Sequence, residues 1–426
     1  MTRTEDRLAD ALTAAARAVP AETLRPLDVP PSRRRRVAWL APVAAALGVV
    51  LVVGLAVALG TRLSGSGAGA FPAQGAGVPR YYVEATLDAR PVVRSTATGV
   101  VMSTVPVPIV KNAPGYGTDA VASARNGLFF VAAFVPGGGE RVYRFRLTSA
   151  GQVTGFSALP GRVLGGGQWN ADALAVTPDG SRIAVAFTFV GPSGSCGAKG
   201  QPACPSAHPD YIVGINAATG GTSVWRSATP DLGGNSLTVQ NLSWTGDGRE
   251  LVFLGRWCRG AGSFPREICH SSSLVAEVRS LDPAAGGGRL DSGRVLLRQS
   301  ARFPYLARAL ISPDGTAITA VVLSGALKGS HSIGGMAPDN LAVERISVAT
   351  GQKVATLYRR RLGPPSQIVG APIFVDLSVD ARAEHWLLNG GISSGSGYHN
   401  RFNGWIEDGR LIPLAPGDGW DADETW

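Results

Sequence analysis

Three observations in this 426-residue sequence predict an all-β protein, a propeller of six four-stranded blades carried behind one membrane-spanning helix. A turn-and-strand pattern recurs at intervals of 66 to 68 residues. Glycine (56 residues) and proline (29) make up about a fifth of the chain while only 17% of residues are charged, a balance that favours tight turns over long helices. One apolar run, Val37 to Leu59, carries no charge at all. The chain is long enough for one large core or two ordinary ones.

The uncharged run spans 23 residues. As a helix it would extend roughly 35 Å, enough to cross a hydrocarbon core of about 30 Å. Pro42 lies near its start, where a helix tolerates proline, and Trp39 suits the headgroup interface. Ala56-Val57-Ala58 resembles a signal-peptidase site, but the run is too long and its leading segment too extended for a cleaved signal. The first 36 residues hold eight arginines, four of them (Arg33 to Arg36) abutting the run, whereas the far side has Arg62 and then nothing basic until Arg80. The positive-inside bias therefore predicts a cytoplasmic tail (1–36), a plasma-membrane span (37–59), a glycine- and serine-rich tether (60–79) and an extracytoplasmic domain (80–415), with a C-terminal tail at 416–426.

Much of the +9 net charge sits in that arginine cluster. The rest is interspersed with acids and forms no basic stripe, which argues against nucleic acid as a partner. In the tail, Thr4 is a capping residue, and Leu8, Leu12, Ala15 and Val19 recur at helical spacing until Pro20. Such a short amphipathic helix could meet a cytoplasmic protein, lie on the membrane, or only assist insertion.

The repeats carry the fold prediction. VTPDGSRIAVAF (176–187), WTGDGRELVFLG (244–255), ISPDGTAITAVVL (311–323) and LSVDARAEHWLLN (377–389) align on Asp179, Asp247, Asp314 and Asp380, and SARNGLFFVAAF (123–134) is a weaker fifth copy. In each, an Asp-Gly pair (Gly180, Gly248, Gly315) makes a tight turn, with glycine supplying positive φ and aspartate bonding the local backbone. Alternating apolar residues such as Ile183, Val185 and Phe187 then read as a half-buried strand. A second hairpin follows each copy, as in 211–225, 341–358 and 405–414, and two hairpins make one four-stranded blade. Second hairpins number six, the earliest in Tyr81–Val107, against five first hairpins, so six blades with an incomplete first one are expected. A pair of β-sandwiches is the alternative arrangement.

The Ser-Pro-Asp-Gly hairpin resembles the WD-like repeat of TolB-type β-propellers over residues 80–415. The resemblance implies the fold and no functional residue, because Asp and Gly serve the turn. Ala381, where glycine is expected, departs from the pattern. The tail–span–propeller plan looks like that of actinobacterial surface proteins, a source that the scarcity of lysine also fits.

Successive turns of a blade alternate between faces, so the tight turns share one face and the longer connections share the other. Those connections are Val190–Asp210, Arg256–Ser273, Ser324–Asn340 and Asn389–Arg401, and long loops on a rigid scaffold are where binding sites are built. All four cysteines fall in the first two. Of three possible connectivities, the local one, Cys196 with Cys204 and Cys258 with Cys269, is expected in an exported domain. His208, His270, His331 and His399 fall in the same class of connection, and Asp210, Asp231 and Asp339 are expected near the face those connections share. No histidine pair has ligand spacing within a loop, and no phosphate loop or paired zinc motif is present. Neither a cofactor nor a catalytic residue is therefore expected. The leading expectation is a non-catalytic binding or scaffolding domain for a protein, glycan or small molecule at the cell surface. A sensor whose tail contacts a signalling partner such as a sigma factor is one alternative, and a propeller hydrolase or lactonase is another.

Overall fold

A computed structural model describes residues 78–425 except 86–89, 109, 111–119, 137, 166–168, 190–209, 228–235, 259–273, 326–337, 363–372, 381–383, 395–396 and 415–422. The expected cytoplasmic helix, membrane span and most of the tether lie outside these residues. No helix among the described residues is long and apolar enough to cross a membrane.

The described chain folds into six sheets, antiparallel apart from one edge strand, that form a β-propeller. The first holds β1 (Tyr81–Ala85), β2 (Val92–Ser95) and β3 (Val101–Thr104). The second is β4 (Ala120–Ala124), β5 (Leu128–Phe134), β6 (Glu140–Leu147) and β7 (Val153–Ala158). The third is β8 (Trp169–Val176), β9 (Arg182–Phe189), β10 (Tyr211–Asn216) and β11 (Thr222–Arg226). The fourth contains β12 (Ser236–Trp244), β13 (Leu251–Cys258), β14 (Leu274–Leu281) and, after a detour through β15 (Gly287–Arg289), β16 (Arg294–Arg298). The fifth is β17 (Tyr305–Ile311), β18 (Ala317–Ser324), β19 (Asn340–Ser347) and β20 (Lys353–Arg361). The sixth is β21 (Ile373–Val379), β22 (Trp386–Ser394), β23 (Gly397–Glu407) and β24 (Arg410–Pro413). The last strand, β25 (Asp423–Thr425), pairs with β1 and becomes the innermost strand of the first sheet. The segment set apart from the sequence as a C-terminal tail thus completes the incomplete first blade and closes the ring.

Contacts between first strands run β4 to β8, β8 to β12, β12 to β17, β17 to β21, β21 to β25 and β25 back to β4. Strand alternation explains how the sheets hold together. On β9, Ile183, Val185 and Phe187 pack towards the second sheet, while Ala184 and Ala186 pack towards the fourth. Each neighbouring pair of sheets shares its own apolar cluster in this way, down to the pairing of the sixth with the first through Leu387, Trp405 and Tyr82. Fully burying a side chain such as Phe187 or Phe253 contributes roughly 1.5–3 kcal/mol, so stability is distributed around the ring.

Two departures from expectation concern connections. Asn389–Arg401 is not a long loop: β22 runs to Ser394 and β23 starts at Gly397, so strand structure extends over most of it. The third-to-fourth-strand connection of the fourth sheet reaches back instead, and β15 pairs in parallel with β11, adding a fifth strand to the third sheet. Gly287 makes this possible. Its φ is +127°, and a Cβ there would lie 2.6 Å from the Val224 carbonyl oxygen.

Candidate functional site in the central channel

The innermost strands β4, β8, β12, β17 and β21 line a central cavity of about 150 Å³. Four of its polar residues, Asp172, Gln240, Arg308 and Asp376, stand 68 residues apart and so occupy equivalent places on four successive blades. The presentation of the first three involves bulges, whereas Asp376 sits in the continuous register of β21 with β22. The β8–β9 pairing skips Asp172, the β12–β13 pairing skips Gln240, and the β17–β18 pairing skips Ala307 beside Arg308. A bulge bends the strand and re-aims the side chain, here at the channel wall.

Arg308 Nε donates to Asp376 Oδ1 at 3.2 Å, and both side chains are largely enclosed. Asp172 opens onto the channel cavity, and the surrounding ring encloses its carboxyl. Burial pushes its carboxyl above the usual range, while a hydrogen bond from Thr188 and the Arg308 charge pull it back. Gln240 Oε1 is buried with no hydrogen-bond partner among the described residues. The neighbouring polar groups are occupied by the fold itself: Asn241 Oδ1 accepts from Ala309 N at 3.0 Å, Ser243 Oγ accepts from Ile311 N at 3.0 Å, and Trp244 Nε1 donates to the Ala175 carbonyl at 3.3 Å. Those bonds tie the fourth sheet to both neighbours.

On the tight-turn face, three repeats share one geometry. Thr177, Thr245 and Ser312 each bond, backbone to backbone, to the residue five ahead, and each hydroxyl accepts that residue's amide at 2.9–3.0 Å. The same hydroxyls donate to Asp179, Asp247 and Asp314, whose carboxylates also accept an amide two residues on. Gly180, Gly248 and Gly315 complete the turns at φ of +74°, +66° and +71°. These bonds hold the carboxyls below their ordinary range. The Ser312 hydroxyl, followed by the Thr316 amide, brings Asp314 to about 2.

The fourth copy corrects the sequence alignment. Asp380 N donates to the His385 carbonyl at 3.1 Å, and Asp380 Oδ1 accepts from His385 N at 3.1 Å. This is the bonding of Thr177, Thr245 and Ser312, so Asp380 occupies the hydroxyl position and not that of Asp179, Asp247 and Asp314. The register is two residues away from the one the sequence motif suggests. Oδ1 also accepts from Glu384 N at 2.8 Å, and Oδ2 lies 3.2 Å from His385 Nδ1.

The other sequence-selected residues that the structure describes do not gather into one site. Asp210, expected on an open loop, is 1% exposed. Its Oδ2 accepts from Val239 N at 3.2 Å and clasps the third sheet to the fourth, as Glu140 Oε1 clasps the second to the third through Ala171 N at 2.7 Å. Both amides adjoin the bulges described above. An acid at the start of a blade's third strand is the sequence signal that would have revealed this role. Asp339 is half-buried, and its backbone bonds to Ser324 and Leu362. His399 lies on β23, paired with Ile392, and Cys258 ends β13. His208, His270, His331, Asp231, Cys196, Cys204 and Cys269 lie outside the described residues, so the disulfide expectation does too.

No protein-family model matches the chain, and a search of curated proteins finds no relative. Among solved structures, the Dos1 propeller is 11% identical with a TM-score of 0.36, covering 78% of this chain and 70% of that one. The Cps50 (Swd1) propeller domain of Myceliophteria thermophila is 13% identical at 0.36, covering 74% and 77%. An ACO/RPE65 chimera is 9% identical at 0.42, covering 80% and 70%. Likeness at this level carries no inference about activity.

Proposed function

We propose that this chain is a single-pass plasma-membrane protein whose extracytoplasmic propeller binds a small polar ligand, or the polar end of a larger one, in its central channel. The observation that carries the binding reading is Gln240. Its buried carbonyl oxygen lacks a partner among the described residues and lies in the same wall as Asp172, Arg308 and Asp376. An unpartnered buried polar group is costly, and a ligand that bonds to it recovers that cost. A pocket of about 150 Å³ suits a group of few atoms and is too small for a folded partner to enter. The arginine-flanked apolar run supports the membrane anchor and the outward orientation.

The test is a thermal-shift screen of the detergent-solubilised full-length chain against small polar metabolites, sugars and peptides, since a ligand that binds only the folded state raises its Tm. A hit whose shift disappears in Gln240→Leu, with ligand-free melting unchanged, supports the reading. Hits that all survive this substitution and Arg308→Met would move the site out of the channel. For topology, a reporter active only outside the cytoplasm is expected to work when fused after Trp426. Activity of a cytoplasm-only reporter there would overturn the orientation.

A further inference from the structure

We propose that Asp380, Glu384 and His385 bind one divalent transition-metal ion, zinc by their chemistry, at the tight-turn mouth of the channel. Asp380 borders the same channel, but the metal reading does not rest on the ligand reading above. The three side chains offer one donor atom each, all within 4.8 Å of one another. Two donors at about 2.1 Å from a tetrahedral zinc stand about 3.4 Å apart. Asp380 Oδ2 and His385 Nδ1 are 3.2 Å apart, close to that edge length, so an ion could replace their hydrogen bond with little movement.

The sibling turns show why the carboxylate asks for an explanation. At the equivalent position Thr177, Thr245 and Ser312 accept the same backbone amide with a neutral hydroxyl, so the fold needs no charge there. Only the fourth turn places a carboxylate at this point, 5% exposed, with a second carboxylate and an imidazole four and five residues on. Two carboxylates so close repel each other, and a shared dication removes that cost. The two backbone amides on Oδ1 fix the Asp380 carboxylate and leave Oδ2 facing His385. A separate sign comes from Ser378, two residues upstream. It also lines the channel, and its buried hydroxyl has no hydrogen-bond partner among the described residues. Three protein donors leave a fourth zinc position open, and a water held there would give a polar group at this mouth of the channel its partner. An imidazole with carboxylates selects zinc or a similar metal over calcium and magnesium, which prefer all-oxygen shells.

The experiment is calorimetric titration of metal-free, full-length protein with zinc alone, repeated with calcium and with magnesium. One equivalent of zinc should bind, and neither of the other ions should compete. Glu384→Gln, at an exposed position, and His385→Ala should each weaken binding at least tenfold. Asp380→Ser should do the same while melting like the wild type without metal, because serine is what Ser312 supplies in the sibling turn. Cobalt in place of zinc should show no thiolate charge-transfer band, which separates this site from the four cysteines. Absence of binding, preference for calcium, a thiolate band, or unchanged affinity in Glu384→Gln and His385→Ala would each overturn the proposal.

Discussion

The turns at Thr177, Thr245 and Ser312 and the turn at Asp380 share a backbone bonding frame but differ in everything their side chains do. In the first three, a hydroxyl and an aspartate lock each other and the backbone, with glycine at positive φ. In the fourth, one carboxylate takes over the hydroxyl's bond, and glutamate and histidine stand where the siblings have Ser181 and Arg182, Arg249 and Glu250, or Thr316 and Ala317. The comparison teaches that the hairpin is specified by pairing of its strands and one side-chain acceptor. The rest of the turn is free to take up other chemistry.

The largest test of that frame is at the glycines. Gly180→Val adds strain at φ +74° and places a Cβ 2.7 Å from Leu128 Cδ2, whereas at Gly315 the nearest atom would be 3.6 Å away. Chemical denaturation should show a loss of about 3 kcal/mol for Gly180→Val and about 1–2 kcal/mol for Gly315→Val. Equal losses would mean that crowding plays no part.

Removing the hydroxyl should matter less. Thr245→Val keeps the shape but leaves the Glu250 amide and the Asp247 carboxylate without their shared partner, and urea melts should register about 1 kcal/mol. A Thr245→Val protein as stable as wild type would show that the hydroxyl is dispensable and the aspartate alone sets the turn.

Smaller again is the pH dependence of the Asp314 lock. Its folded-state pKa of about 2 lies below the unfolded value near 3.9, so its contribution is complete above about pH 4 and is lost as pH falls towards 2. The advantage of wild type over Asp314→Ala, read from Tm at a series of pH values, should shrink in that window. The group is exposed, so the effect is modest. An advantage that is constant down to pH 2 would mean that the hydrogen bonds do not depend on ionisation.

The smallest effect is expected where the two kinds of turn are exchanged. Without metal, Asp380→Ser should change stability by about 0.5 kcal/mol or less, because one acceptor of the His385 amide replaces another. A large loss would show that the carboxylate has a structural duty its siblings' hydroxyls do not perform.

Local chemistry was enough to read the strands, the tight turns and the number of blades, because alternation and Asp-Gly pairs act over a few residues. It misled where register depends on a partner strand. In the LSVDARAEHW segment the aspartate invites alignment with Asp179, yet the amide and carbonyl of His385 fix it as the counterpart of Thr177. The candidate histidines were chosen for loop position, and that criterion passed over His385, which sits in a turn and became informative only beside Asp380.

What the sequence determined by itself is the repeat: its period, its turns and the alternation that gives each strand two apolar faces. It also sets the charge asymmetry around the apolar run, from which the membrane topology is argued. The tertiary structure alone decided that residues 423–425 close the ring, since nothing in Asp-Glu-Thr marks a strand until β1 offers it a free edge. It decided that Asp210 is buried, because the amide it accepts belongs to Val239 on the next blade. It also decided that Asp172, Gln240, Arg308 and Asp376 share one channel. Their common spacing acquires meaning only when a closed ring, helped by bulges at or beside Asp172, Gln240 and Arg308, brings distant segments of chain around one axis.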